Sequence, residues 1–154
     1  MKAVKHLDCS LRDGGYYNNW DFKDDLINQY LQVLESIKVD YCEIGFRFYN
    51  NKGFKGSCAF SSEEFLSSLK IPKALKIAIM INANEIIENG ELMLERLQQL
   101  IPLKANESKV DMVRVACHSE IIEKVLPAFD FLNKNGYISA CNITQISDKT
   151  NDKL

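Results

Sequence analysis

Five short apolar runs alternate with amphipathic runs along the chain, and this alternation restricts the fold more than any other feature. Strands are expected at Ala3–Asp8, Val39–Gly45, Leu75–Ile81, Val110–Cys117 and Tyr137–Ile143. The third is nearly all apolar, as suits a strand covered on both faces of a parallel sheet. Helices are expected at Phe22–Ile37, Ser61–Leu69, Glu91–Ile101 and Glu120–Asn133. In the first of these, Leu26, Ile27, Tyr30, Leu31, Leu34 and Ile37 recur at helical spacing. Asp21 is its expected cap, and Asn135-Gly136 is the expected stop of the last helix. Strict strand–helix alternation calls for a parallel sheet.

Two α/β architectures satisfy that pattern. A flavodoxin-like doubly wound sheet uses five strands at about this length. A (β/α)8 TIM barrel needs roughly 250 residues, so 154 residues would supply only part of one. Pattern alone favours the flavodoxin-like sheet. Residues 1–146 are expected to form one domain, followed by a polar tail over 147–154.

Composition narrows the function classes. With 19 basic and 21 acidic residues and no basic block, the sequence gives no reason to expect nucleic acid or anionic lipid as a partner. No apolar run approaches a membrane span and the N-terminus lacks a signal-peptide core, so the expected location is cytoplasmic. The five cysteines (Cys9, Cys42, Cys58, Cys117, Cys141) contain no C-x-x-C pair. They are expected to be reduced, mostly buried thiols rather than zinc ligands.

Polar residues gather where each strand should end. The first strand is followed by Arg12-Asp13-Gly14-Gly15, expected as a loop; the second gives Glu43 and Arg47. The third gives Asn82 and Asn84, the fourth Arg114 and His118, and the fifth Asn142 and Gln145. In a barrel all of these face one mouth. A carboxylate there can bind a hard cation, and a guanidinium beside it can stabilise an oxyanion. An Arg–Asp surface pair before a glycine turn is the plain structural alternative. His118 stands before a helix, where a capping role is the ordinary one; His6 lies within a strand and is expected to be structural.

The string Asp8-Cys9-Ser10-Leu11-Arg12-Asp13-Gly14-Gly15-Tyr16-Tyr17-Asn18-Asn19-Trp20 resembles the opening motif of the DRE-TIM metallolyases, and within them the 4-hydroxy-2-oxovalerate aldolase branch. Cys42-Glu43-Ile44-Gly45-Phe46-Arg47, Met112 through Glu120 and Ala140-Cys141-Asn142 resemble later strands of the same family. The resemblance implies the opening strands of a TIM barrel, about five with four helices. It also implies a carbon–carbon lyase that releases pyruvate and an aldehyde from a 4-hydroxy-2-oxo acid. Arg12 matches the family's enolate-stabilising arginine and Asp13 its Mn²⁺ or Mg²⁺ ligand. Glu43, Arg47, Arg114, His118 and Asn142 fall at substrate-positioning places.

Two departures follow. The family's histidine shortly after Arg-Asp-Gly is missing, leaving Tyr16 as the catalytic candidate, and an unperturbed phenol is a poor base at neutral pH. The family's His-x-His metal pair occurs nowhere in the sequence. The remaining metal ligands are therefore expected outside this chain, which alone should be inactive. A homo-oligomer, or a separate C-terminal half of the barrel, is the expected partner. A non-catalytic half-barrel for binding or assembly is the alternative.

Overall fold

A computed structural model describes residues 4–146; the expected tail over 147–154 lies outside them. The chain order is β1 (Leu7–Asp8), α1 (Ser10–Asn18), α2 (Asp24–Ser36), β2 (Tyr41–Phe46), α3 (Glu63–Ser68), β3 (Lys76–Asn82) and α4 (Ala83–Ile86). It continues with β4 (Ile87–Glu88), β5 (Glu91–Leu92), α5 (Leu94–Leu100), β6 (Met112–His118), α6 (Ile122–Lys134) and β7 (Ile138–Thr144). Short 3₁₀ turns fill Ser57–Ala59 and Ser119–Ile121. No helix among the described residues is long and apolar enough to cross a membrane.

The main sheet decides between the two architectures. Its five strands are all parallel and lie in the order β1-β2-β3-β6-β7, each beside its predecessor in the chain. A flavodoxin-like sheet must reverse direction after its first strands to become doubly wound. Sequential order instead curls the sheet one way. The fold is a half-barrel, with β1 and β7 as its free edges among the described residues.

Register sorts the side chains onto two faces. Cys42, Ile77, Ile79, Ile81, Val113 and Val115 form one core with Ile27, Leu31 and Leu34 of α2, Leu97 of α5, and Val125, Ala128 and Leu132 of α6. The opposite, concave face carries Glu43, Ala78, Met80, Arg114, Ala116, Ala140 and Asn142 in register. A bulge after Glu43 brings Gly45 against the Cys58 carbonyl, so close that a Cβ would overlap it. Only glycine permits that approach.

Several expectations need correction. The Arg-Asp-Gly-Gly segment is not a loop but the body of α1. The Asp8 carboxylate accepts from the Ser10 backbone N–H at 3.1 Å and from its hydroxyl at 3.0 Å, which holds the first turn. Helical glycine costs about 1 kcal/mol against alanine, yet the Trp20 indole occupies the space where a Gly15 Cβ would stand. Packing outweighs propensity here. The cap of α2 is Lys23 rather than Asp21. The expected Glu91–Ile101 helix loses its first turn to the β4–β5 hairpin, whose Asn89-Gly90 turn has both residues at positive φ. The first strand shortens to Leu7–Asp8, leaving His6 just before it, where its N–H donates to Asp40. Among the described residues six helices, not four, accompany the sheet. All five thiols are free, but Cys141 is exposed rather than buried.

Candidate functional site

The C-terminal ends of the strands assemble one charged network. Glu43 on β2 is fully buried, and its Oε2 accepts from Arg12 Nε at 2.8 Å and from Arg114 Nη1 at 2.9 Å. Arg114 Nη2 donates to Asn142 Oδ1 on β7 at 2.8 Å, and Arg114 Nη1 also lies 3.5 Å from Cys9 Sγ. Arg12 Nη1 donates to Asp13 Oδ1. Residues from β1's exit, β2, β6 and β7 therefore meet at one place, as the inward alternation of a barrel dictates.

The electrostatics of this network are uneven. One buried carboxylate oxygen serves two guanidiniums, while Glu43 Oε1 has no hydrogen-bond partner among the described residues. A buried acceptor without a donor costs about 1–3 kcal/mol. Burial pulls the Arg12 pKa down, but the hydrogen bond and charge of Glu43, with Asp13 and Cys9, carry the net shift upward. Burial and then Glu43 push the Cys9 thiol up, although Arg114 and Arg12 oppose them. Cys9 is thus held as a neutral thiol beside two fixed cations.

An aromatic wall backs Arg12. Its guanidinium carbon lies 6.0 Å from the Phe46 ring centroid, and its backbone carbonyl accepts from Trp20 Nε1 at 2.9 Å. Tyr16 packs edge-on to Trp20 at 4.9 Å and is 62% exposed. Lys55 caps the same wall, 4.8 Å from Trp20 and 4.5 Å from Phe48. Together these rings fix where the Arg12 side chain leaves α1.

Arg47 belongs to a different cluster. It is buried, and its Nε, Nη1 and Nη2 donate to the Ser61 carbonyl (3.1 Å), the Leu100 carbonyl (2.8 Å) and Glu63 Oε1 (2.6 Å). Glu63 also accepts from the Ser108 hydroxyl and the Lys109 N–H. Every donor group there is spent on joining the end of β2 to α3, α5 and the approach to β6. The structure thus brings together Arg12, Asp13, Glu43, Arg114 and Asn142, with Tyr16 at their side, and leaves Arg47 apart. His118 stands at the end of β6, where its Nδ1 lies 3.1 Å from Thr144 Oγ1.

The residues present do not by themselves make a divalent-cation site. Among the described residues no three His, Cys, Asp or Glu side chains cluster as ligands. Asp13 offers one carboxylate, 58% exposed and already engaged by Arg12. Sequence reading overlooked Cys9 and Thr144 as members of the strand-end polar set. Thr144 was detectable, because it follows Asn142 at the two-residue spacing of one strand face.

No protein-family model matches the chain, and no curated protein matches it. Among solved structures, the N-terminal domain of a candidate aldolase from Bacteroides vulgatus superposes with a TM-score of 0.83 at 29% sequence identity. This chain has an aldolase-like fold. The match covers 97% of this chain and 48% of the other, so the chain spans about half the length of the structure it matches.

Proposed function

We propose that this chain supplies half of an aldolase active site that cleaves a 4-hydroxy-2-oxo acid into pyruvate and an aldehyde. The observation that carries the reading is the convergence of Arg12, Glu43, Arg114 and Asn142 on the concave face of an aldolase-like half-barrel. When the bond between C3 and C4 breaks, its electron pair moves onto the 2-oxo oxygen as an enolate. Arg12 is suited to receive that charge. Glu43 and the aromatic wall fix its guanidinium in advance, and its Nη2 makes no hydrogen bond among the described residues. One preorganised donor of this kind is worth roughly 10²–10³ in rate. Arg114 and Asn142 form the adjoining wall, where a substrate carboxylate would find a second guanidinium. Arg47 has no part in this scheme, because its donors are already spent.

The family resemblance makes Mn²⁺ or Mg²⁺ the proposed cofactor, with Asp13 as one ligand and the others supplied from outside this chain. One carboxylate is a weak divalent site, since affinity rises with ligand number. Calorimetry should therefore give only weak Mn²⁺ binding, and the chain alone should release negligible pyruvate. A micromolar dissociation constant abolished by Asp13→Asn would overturn this ligand count. The 2-oxo acid reading itself is tested by NMR titration with pyruvate. Arg12 and Arg114 side-chain N–H resonances should shift at millimolar pyruvate, and Arg12→Ala should remove the response. Shifts that persist in Arg12→Ala would defeat the proposal.

The free edges support a further part of the reading, a protein partner. The seven residues of β7 include none that is fully buried, and among the described residues no strand lies beside its outer edge. A row of unpaired N–H and C=O groups favours pairing with another chain. A second copy, or a complementary half-barrel, is the proposed partner. A clean monomer by light scattering at high concentration would exclude self-association.

A further inference from the structure

Next to the arginine network lies a polar cavity of about 350 Å³ between the ends of β3, β6 and β7, with Asn82, Asn84, Glu85, His118 and Thr144 in its lining. Its hydrogen bonds select the tautomer of the neutral histidine. Thr144 Oγ1 donates to the Cys117 carbonyl at 3.3 Å and lies 3.1 Å from His118 Nδ1. A carbonyl can only accept, so the single hydroxyl proton goes to Cys117. Thr144 must then accept from His118, which puts the imidazole proton on Nδ1. Nε2 keeps its lone pair and makes no hydrogen bond among the described residues.

The register joins this cavity to the Arg12 network. Ala116 lines the cavity and pairs with Asn142, the residue that accepts from Arg114. Asn142 and Thr144 are successive residues on the same face of β7, one strand step of about 6.6 Å apart. That step is comparable with the extended length of a short hydroxy-oxo acid. A molecule with its oxo end at Arg12 and Arg114 would carry its hydroxyl end toward His118.

Resting on the aldolase reading above, we propose that His118 is the catalytic base and that this cavity receives the hydroxyl-bearing end of the substrate. Nε2 takes the proton of the C4 hydroxyl. The C4 oxygen becomes the aldehyde carbonyl as the bond between C3 and C4 breaks, and the electron pair enters the enolate facing Arg12. The imidazolium returns the proton to C3, which gives pyruvate and restores the neutral ring. Thr144 is a positioning residue that selects the tautomer. This arrangement supplies the base that the Gly15-Tyr16 stretch lacks.

Two NMR measurements on the chain test the proposal. Long-range proton–nitrogen spectra should show the Nδ1–H tautomer in the parent chain and in Thr144→Ser, and its loss in Thr144→Val. An Nε2–H tautomer in the parent, or no change in Thr144→Val, would overturn the assignment. Titration should then show 4-hydroxy-2-oxopentanoate binding about tenfold tighter than 2-oxopentanoate, the factor expected of one added hydrogen bond. His118→Phe should erase that preference. Equal binding of the two acids by the parent chain would reject the role of His118 and leave the 2-oxo acid reading standing. Failure of both acids to bind would reject the two together.

Discussion

Two arginine–glutamate clusters, which meet at Glu43 and Arg47 on either side of the end of β2, have opposite designs. Around Arg47 and Glu63 every charged nitrogen and oxygen is engaged: three donor nitrogens find three acceptors, and both carboxylate oxygens are used. Around Arg12, Arg114 and Glu43 the accounts do not close. Two guanidiniums crowd one oxygen, and among the described residues the other oxygen is an orphan and Arg12 retains a free nitrogen. A saturated cluster can only hold the fold together. An unsaturated one, kept in place by its surroundings, has capacity left for a ligand.

The sharpest way to break this contrast is to remove each arginine. Arg47→Ala strands a part-buried carboxylate and two backbone acceptors, so urea unfolding should show a loss of about 3–5 kcal/mol. Arg12→Ala leaves Glu43 still paired with Arg114, and the loss should be smaller, about 1.5–3 kcal/mol. Equal losses would mean that both clusters are structural.

A finer cut compares the two glycines of α1. A Cβ at Gly15 would enter the Trp20 ring, whereas at Gly14 its nearest neighbour is Phe22 Cζ at an ordinary 3.5 Å. Gly15→Ala should destabilise by roughly 1–3 kcal/mol through overpacking and displace the indole that holds the Arg12 carbonyl. Gly14→Ala should stabilise by about 0.5–1 kcal/mol. Thermal unfolding of the pair checks both signs, and a matched response would mean that Trp20 does not lock α1.

The smallest expected effect is on pH dependence. Burial raises the Glu63 pKa, but its bonds to Ser108 and Arg47 more than compensate and carry it below the ordinary 4.5. As pH falls, the unfolded chain takes up this proton first. The stabilisation from Glu63 is therefore present in full above pH 4.5 and lost as pH drops through the lower folded value. Glu63→Gln should flatten that part of the acid limb of the stability curve. An unchanged acid limb would remove Glu63 from the account.

How far the sequence anticipated these clusters follows from what each residue depends on. Arg12, Glu43, Arg114 and Asn142 were identifiable because strand periodicity and chain order carry them to one mouth. Arg47 also follows a strand and was expected beside them, yet the bulge at Gly45 re-aims the residues after it toward α3 and α5, so it stands in a separate cluster. Helix α1 stayed hidden because two glycines argue against it locally, while the Trp20 ring that favours it lies further along the chain. The β4–β5 hairpin was legible in its Asn-Gly pair but was overridden by the leucines that follow. Strand order could not be read from the pattern, since both candidate folds share the same alternation.

The sheet is unevenly insulated from solvent, and this sets an order of opening. Every residue of β2 is buried, whereas none of β7 is. Amide hydrogens should therefore exchange slowly through β2 and β3 and faster along β7, where local opening costs less. Yet β7 carries Asn142 and Thr144, so the geometry around Arg114 and His118 lasts only as long as this edge strand stays closed. Any chain that pairs along that edge would lengthen the time for which the site exists, without touching a single residue inside it.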